Sequence, residues 1–163
     1  MSERLRVGIA EIKFGRAPEV LVTYGLGSCL SITLYDPRTR TGAMAHTLLP
    51  TPRPGQAETR PGKFVVSAVA AMLAELPALG AASRNLEAKL VGGANMFESL
   101  ALAKGDLIGE RNAQAAREIL AKLGVPLAAE DTGGNFGRTA ELVLETGEVR
   151  VRSLRGAEKC RIL

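Results

Sequence analysis

The stretch LSITLYDPRTRTGAMAHTLL, residues 30–49, decides the central element of the fold. Two runs rich in apolar and β-branched residues, Leu30 to Tyr35 and Ala43 to Leu49, flank a segment at residues 36–42 that contains proline and glycine. Runs of this kind on either side of breaker residues are typical of paired antiparallel strands. The stretch therefore predicts a β-hairpin.

This hairpin brings Cys29 and His46 close to one another on the sheet. If the turn centres between residues 38 and 39, position 29 faces position 48. His46 is then a diagonal neighbour of Cys29 on the same face, with Cα atoms about 7–8 Å apart. A register shift of one residue would place the two side chains on opposite faces. Their relation therefore depends on the geometry of the turn.

Further strands are predicted on both sides of the hairpin. The first runs from Leu5 to Phe14, where a change of parity in the apolar alternation indicates a bulge or bend near residues 8–11. The other predicted strands are Val20 to Tyr24, Leu86 to Val91, Val125 to Glu130, Glu141 to Glu145 and Glu148 to Ser153. The last two flank a Thr-Gly turn and are predicted to form a C-terminal antiparallel hairpin with one solvent-exposed face.

Two helices are predicted. Apolar residues recur at three- and four-residue spacing from Phe64 to Leu76, with Pro61 suited to a first helical turn and Pro77 ending the pattern. The second helix is predicted from Asn112, as N-cap, to Leu123. Both helices are expected to be amphipathic elements that pack on the sheet.

The order of these elements predicts an α+β fold, a layered α/β sandwich with mainly antiparallel or mixed β-sheets and two principal helices. Residues 50–62 lack periodicity and predict an exposed loop, and residues 131–137 predict a glycine-rich loop. Because there is no internal repeat and no break in composition, we expect residues 1–163 to form a single domain, with a basic C-terminal tail from about residue 154.

The composition is that of a soluble globular protein, with 46% hydrophobic and 23% charged residues. No apolar run approaches the roughly 20 residues that span a bilayer, and charges interrupt the N-terminal segment, so we expect a cytoplasmic protein without membrane insertion. Nucleic-acid binding is not expected, because aromatic residues make up only 4% despite the net charge of +4. The basic excess near residues 150–161 fits an acidic protein partner and a solvated tail equally well.

Cys29 and Cys160 are expected to be free thiols rather than a disulfide. Cys29 follows Gly27 and Ser28 in a tight turn, where small residues let a substrate come close. Taken alone, Cys29 fits a buried structural cysteine and His46 fits a partly buried histidine. His46 is the single histidine of the chain, however, and its predicted place beside Cys29 favours a catalytic pair.

A cysteine and histidine pair suits acyl transfer, because the imidazole can take the thiol proton and return one to the leaving group. Backbone amides from Gly27 to Cys29 are candidates for an oxyanion hole. Thr23 is the candidate for orienting the imidazole, through its hydroxyl or its carbonyl. One histidine and two distant cysteines do not make a usual zinc site, so no metal is expected.

Two glycine pairs, Gly92-Gly93 and Gly133-Gly134, each precede an asparagine by one or two positions and are compatible with either a substrate cleft or tight turns. Cys160 is expected to be noncatalytic, because no second histidine is present to serve it. The candidate substrate-binding residues are Gly27, Ser28, Gly93 and Asn95.

The sequence resembles the CheD family of chemoreceptor glutamine deamidases from about Leu5 to Ser153. The motifs that carry the resemblance are TYGLGSC at residues 23–29, GAMAHTLLP at 42–50, KLVGGANMF at 89–97, IGERN at 108–112 and DTGGNFGR at 131–138. The resemblance implies that Cys29 is the nucleophile, His46 the base and Thr23 the orienting residue. All three residue types are present at the matching positions.

The resemblance further implies that glutamines of methyl-accepting chemotaxis receptors are converted to glutamates through a cysteine thioester, without a cofactor. It also implies hydrolysis of receptor methyl esters and binding of a CheC-type phosphatase. Two alternatives stay open. One is another cysteine acyl-transfer enzyme, such as a transglutaminase-like protein or a peptidase, and the other is a regulatory module that binds a signalling protein such as CheC without turnover.

Overall fold

The computed structural model describes residues 2–55, 60–96, 107–153 and 159–163, and these residues form ten strands and two α-helices. The strands are β1 (Arg4–Arg6), β2 (Ile12–Arg16), β3 (Val20–Leu26), β4 (Leu30–Asp36), β5 (Thr41–Thr47), β6 (Glu87–Gly92), β7 (Leu127–Thr132), β8 (Arg138–Val143), β9 (Val149–Ser153) and β10 (Lys159–Ile162). The helices are α1 (Val65–Glu75) and α2 (Ile108–Lys122), and short 3-10 turns lie at Pro61–Lys63, Leu76–Leu79 and Ser83–Asn85.

The strands form two mixed sheets that pack face to face. The outer sheet has the order β1-β3-β8-β9-β10, and the central sheet has the order β2-β5-β4-β6-β7. Leu21 and Leu142 of the outer sheet share a buried cluster with Met44 and Val91 of the central sheet. The two helices cover the other face of the central sheet. The predicted α+β layered sandwich with two principal helices is therefore confirmed.

The central hairpin is β4 and β5, as predicted, and both strands are buried along their whole length. Burial on both faces follows from the position of the central sheet between the outer sheet and the helices. The side chains of Leu30, Ile32 and Leu34 face the helices. The alternate positions face the outer sheet, and the site described below lies in that interface.

The prediction of one bent strand from Leu5 to Phe14 is wrong. β1 pairs in parallel with β3 of the outer sheet, and β2 pairs antiparallel with β5 of the central sheet. Between them the amide of Glu11 donates to the carbonyl of Gly8 at 3.1 Å, and Ala10 has a positive φ of 63°. The parity change in the sequence is therefore a crossing from one sheet to the other.

The second helix was predicted to start too late. α2 begins at Ile108, its N-cap position is Leu107, and no side-chain cap is present there. Asn112 lies inside the helix and is fully buried, so it is not an N-cap. It occupies the apolar face of the helix together with Ala116 and Leu120, which follow at four-residue spacing.

The remaining segments differ from the predictions mainly at their ends. β7 starts two residues after the predicted Val125 and includes Asp131 and Thr132 of the predicted glycine-rich loop. Within the predicted loop at 50–62, residues 56–59 lie outside the described residues, and Pro61 opens a 3-10 turn. Of the predicted basic tail, residues 154–158 also lie outside the described residues, and Lys159–Ile162 pair with β9 as an additional strand.

Candidate active site

The hairpin has the register that follows when its turn centres between residues 38 and 39, which is the case that the sequence analysis considered. Leu30 pairs with Thr47 and Ser31 pairs with His46, so the position before Leu30 faces the position after Thr47. The side chain of Cys29 packs against the buried cluster between the two sheets. The ring of His46 contacts a strand of the outer sheet, so it faces the same interface. Cys29 and His46 therefore share one face of the hairpin.

His46 is held by Thr23, which reaches it from β3 in the other sheet. The Thr23 hydroxyl oxygen is 2.7 Å from Nδ1 of His46 and 2.7 Å from the carbonyl oxygen of Val7. A carbonyl can only accept, so the single hydroxyl hydrogen goes to Val7 and the hydroxyl oxygen accepts from Nδ1–H. This arrangement leaves the lone pair of the ring on Nε2.

His46 is 1% exposed, and Nε2 has no hydrogen-bond partner among the described residues. Burial lowers the pKa of the imidazole below its ordinary value of 6.5, because the charged form loses hydration. The ring is therefore neutral at neutral pH, with Nε2 ready to accept a proton.

Cys29 is a free, half-buried thiol, and Cys160 is free and exposed, as expected for both. Burial raises the pKa of the Cys29 thiol, and this effect exceeds the opposing effect of a hydrogen bond from its own backbone amide. The resting pair is therefore a neutral thiol and a neutral imidazole.

The turn that carries Cys29 is fixed by the segment that follows β6. The amide of Gly93 donates to the carbonyl of Cys29 at 2.9 Å, and the amide of Ala94 donates to the carbonyl of Gly27 at 2.9 Å. A Cβ atom on Gly92 would lie 2.4 Å from the carbonyl oxygen of Cys29. Only glycine permits this approach of the two backbones.

The amides of this turn are candidate donors to a reaction intermediate. Within the described part of the chain, the amides of Gly27, Ser28 and Cys29 donate to no backbone carbonyl. The amide of Cys29 lies close enough to its own sulfur to form the hydrogen bond noted above. Such backbone donors suit an oxyanion that develops beside the sulfur.

The sequence-predicted substrate-binding residues all lie at this turn or in the segment that holds it. Gly27 and Ser28 belong to the turn, and Gly93 bonds it directly. Asn95 follows Ala94 in the chain and does not bond the turn through its backbone amide, which donates to the carbonyl of Gly134 at 2.8 Å. The structure gives their backbones a role in building the site, and contact with a substrate stays a prediction.

Sequence reasoning missed Asn112. Its side-chain amide donates to the carbonyl of Ser28 and to the carbonyl of Leu48, both at 2.9 Å. It thereby joins the Cys29 turn to the end of the strand that carries His46. A signal was present in the sequence, because Asn112 continues the apolar stripe of Ala116 and Leu120 and is the polar residue in that stripe.

A cavity of about 620 Å³ lies beside α2 and is distinct from the Cys29–His46 pair. Gly93 and Thr132 line one side of it, and Arg111, Gln114 and Arg117 line the helix side. Among the described residues, no group of three or more histidine, cysteine or acidic side chains is arranged to hold a metal ion. No helix in the described ranges is both long enough and apolar enough to cross a membrane.

Comparison with known proteins gives close relatives over nearly the whole chain. A protein of Geobacter metallireducens called probable chemoreceptor glutamine deamidase CheD 2 is 52% identical over 155 residues, which are 94% of this chain and 96% of the relative. The chemoreceptor glutamine deamidase CheD of Thermotoga maritima is 44% identical over 156 residues, 96% of each chain. A probable chemoreceptor glutamine deamidase CheD of Pyrococcus abyssi is 45% identical over 160 residues, 97% of this chain and 96% of the relative.

The family model described as CheD chemotactic sensory transduction matches residues 48–153. That range starts after His46, so the match to the family model does not include Thr23, Cys29 or His46. The relatives and the family model agree on one family. The chain therefore belongs to the CheD family of chemotactic sensory transduction proteins.

Proposed function

We propose that this chain is a cytoplasmic chemoreceptor glutamine deamidase that uses Cys29 as nucleophile, His46 as general base and Thr23 as the residue that orients the base. The observation that carries this proposal is the hydrogen bond of 2.7 Å between the Thr23 hydroxyl and Nδ1 of His46. It leaves Nε2 as the basic nitrogen on the face of the hairpin that also carries Cys29. The names of the relatives supply the substrate.

In the first half of the reaction, Nε2 of His46 takes the proton of the Cys29 thiol. The sulfur attacks the side-chain carbonyl carbon of a receptor glutamine, and the carbonyl electron pair moves to oxygen. When this oxyanion collapses, the carbon–nitrogen bond breaks and the imidazolium returns a proton to the leaving nitrogen. Ammonia leaves, and a thioester to Cys29 remains.

In the second half, Nε2 of His46 takes a proton from water, and the water oxygen attacks the thioester carbon. Collapse of the second oxyanion breaks the carbon–sulfur bond, and the sulfur recovers its proton from the imidazolium. The product is glutamate. The same steps hydrolyse a receptor methyl ester with methanol as the leaving group, and we include that reaction in the proposal.

The burial of the pair suits this chemistry. The thiol and the imidazole are both neutral at rest, so the site does not have to hold a pair of ions away from water before substrate arrives. Charge develops on the substrate oxygen only during attack. Backbone amides near Cys29 can then donate to this oxygen in surroundings where water competes little, and such donors typically contribute about 10²–10³-fold to the rate.

The partners in this proposal are methyl-accepting chemotaxis receptors as substrates and a CheC-type phosphatase as a regulatory protein. The receptors are proposed as substrates because the relatives are named chemoreceptor glutamine deamidases. The proposed binding of the phosphatase is supported only by the family resemblance. A chain that binds this phosphatase without turning over any receptor would be a regulatory module instead, and the experiment below separates the two.

The test uses purified protein and the cytoplasmic fragment of a chemotaxis receptor. Ammonia release and a mass increase of one unit at individual glutamines are measured together. We expect Cys29→Ala to reduce both to background and Cys160→Ala, the matched control at the exposed thiol, to retain them. Full activity of Cys29→Ala would overturn the mechanism.

The same samples test the rival functions. Incorporation of an added primary amine at glutamine would identify a transglutaminase-like enzyme, and cleavage of the receptor chain would identify a peptidase. Absence of turnover on every receptor fragment, together with binding to CheC, would establish the regulatory module.

A further inference from the structure

We propose that Asn112 is a positioning residue that sets the spacing of Cys29 and His46. The inference rests on the proposed function, because it concerns the same pair. The two hydrogens of the Asn112 amide bond two carbonyls that belong to different parts of the site. Ser28 directly precedes Cys29, and Leu48 lies two residues after His46.

The orientation of the Asn112 amide follows from its partners. Both are backbone carbonyls, which only accept, so the nitrogen faces them and the side-chain oxygen faces away. Among the described residues this oxygen has no hydrogen-bond partner, although it is fully buried. A buried acceptor without a partner destabilises a fold.

The position of Asn112 is set by the close packing of the first turn of α2 on residues 93–94. A Cβ atom on Gly109 would lie 2.3 Å from the carbonyl oxygen of Ala94 and 2.6 Å from that of Gly93. The first turn of α2 thus rests directly on the segment whose amides bond Cys29 and Gly27. Asn112 follows Gly109 by three residues, on the same side of the helix.

These contacts connect three chain segments around the catalytic pair. The turn at residues 27–29 is bonded from one side by Gly93 and Ala94 and from the other by Asn112. Leu48 directly follows Thr47, and Thr47 pairs with Leu30, the residue after Cys29. Loss of the Asn112 amide frees both carbonyls together, so the turn can move away from the strand of His46.

The first measurement is steady-state deamidation by Asn112→Ala, with Gln114→Ala as control. Gln114 is an exposed amide on the same helix, two residues away. We expect Asn112→Ala to lower kcat by about 10- to 100-fold with little change in KM, because a displacement of about 1 Å at reacting groups costs up to about 100-fold. Gln114→Ala should retain the wild-type kcat.

The second measurement requires no receptor. The rate at which iodoacetamide alkylates Cys29 is measured against pH in Cys160→Ala protein, so that one thiol reacts. In this background we compare the parent, Asn112→Ala, His46→Gln and the double variant. If Asn112 acts through His46, each single change slows alkylation at neutral pH, and adding Asn112→Ala to His46→Gln slows it little further.

A purely structural role gives a different pattern. Asn112→Ala would then lower only the free energy of unfolding. An unchanged kcat of the folded variant overturns the proposal, and so does an unchanged alkylation profile. Additive effects in the double variant overturn it as well, as does His46→Gln with unchanged alkylation. If Asn112→Ala does not fold, Asn112→Ser, which keeps one donor, takes its place and should give an intermediate effect.

The proposal and the proposed function fail differently. Coupling between Asn112 and His46 in alkylation, with no deamidation of any receptor fragment, would retain the positioning role and reject the substrate. Deamidation that depends on Cys29 but is unchanged in Asn112→Ala would retain the proposed function and reject the positioning role.

Discussion

At the scale of single residues, Thr23 determines which nitrogen of His46 is basic. Its hydroxyl donates to the carbonyl of Val7 and accepts from Nδ1–H, so the free lone pair of the ring is on Nε2. In many cysteine and serine hydrolases an acidic side chain has this place and also stabilises the imidazolium. A threonine hydroxyl carries no charge, so the contribution that we propose for Thr23 is orientation of the ring and choice of its tautomer.

We therefore expect Thr23→Val to lower kcat by about 10- to 100-fold, part of the about 10²–10⁴-fold that general acid–base catalysis typically contributes. Valine has nearly the same shape but cannot accept from Nδ1–H. Steady-state deamidation of a receptor fragment measures the effect. Thr23→Ser keeps the hydroxyl and should stay within about threefold of wild type on the same scale. Wild-type kcat in Thr23→Val would show that the hydrogen bond does not orient the base.

At the scale of elements, the end of β6 and the Cys29 turn depend on one another. Gly92 has a φ of 114°, and a Cβ atom there would lie 2.4 Å from the carbonyl oxygen of Cys29. Gly80 is a natural control, because its φ is 99° and a Cβ atom there would meet nothing within 4 Å. The two glycines thus share the backbone requirement and differ in the contact.

Gly80→Ala should destabilise the protein by about 1–3 kcal/mol, the cost of an unfavourable backbone conformation. Gly92→Ala should cost a further amount of about 1–3 kcal/mol, because the backbones must separate. Urea denaturation measures both. Gly92→Ala should also lower deamidation by the protein that remains folded, whereas Gly80→Ala should not. Equal destabilisation by the two variants would contradict the close contact with Cys29.

The sequence was sufficient for most elements but not for their partners. The hairpin, the first helix and the closing pair of strands follow from alternation, spacing and turn residues, which are local. The strand predicted from Leu5 to Phe14 is two strands in two sheets, because periodicity reports which side chains are buried but not which sheet buries them. Asn112 was assigned to a helix start for a related reason, since its buried carbonyl partners come from distant segments.

At the scale of the whole molecule, the site lies between the two sheets. Thr23 comes from the outer sheet and His46 from the central sheet, and their contact exists only when the sheets are packed. The same packing removes His46 from water and lowers its pKa. The stability of the fold is thereby linked to the protonation of the site.

The sign of this linkage follows from the unfolded chain, which binds a proton at His46 near pH 6.5 while the folded protein does so only at lower pH. The unfolded state therefore binds more protons in that window, and the stability from His46 is lost as pH falls below 6.5, by at most about 1.4 kcal/mol per pH unit. Urea denaturation from about pH 7.5 to about pH 5 should show a smaller loss in His46→Gln than in wild type. Equal losses would mean that burial does not disfavour the charged ring.

Several features of this protein follow from its sequence alone. Turn residues and strand alternation determine the hairpin, and a turn centred between residues 38 and 39 places His46 and Cys29 on one face of it. The order of the predicted strands and helices also indicated the layered α+β fold that the structure has. The individual strands and helices follow from local patterns, because alternation, spacing and turn residues involve positions that are close in the chain.

Only the tertiary structure decided how the pair is held. The Thr23 hydroxyl meets His46 because two sheets pack face to face, and the Asn112 amide meets Ser28 and Leu48 because α2 rests on Gly93. Each contact joins residues at least 23 positions apart in the chain. Neither periodicity nor spacing specifies such contacts, because they arise from the packing of layers whose mutual orientation is set by the whole core.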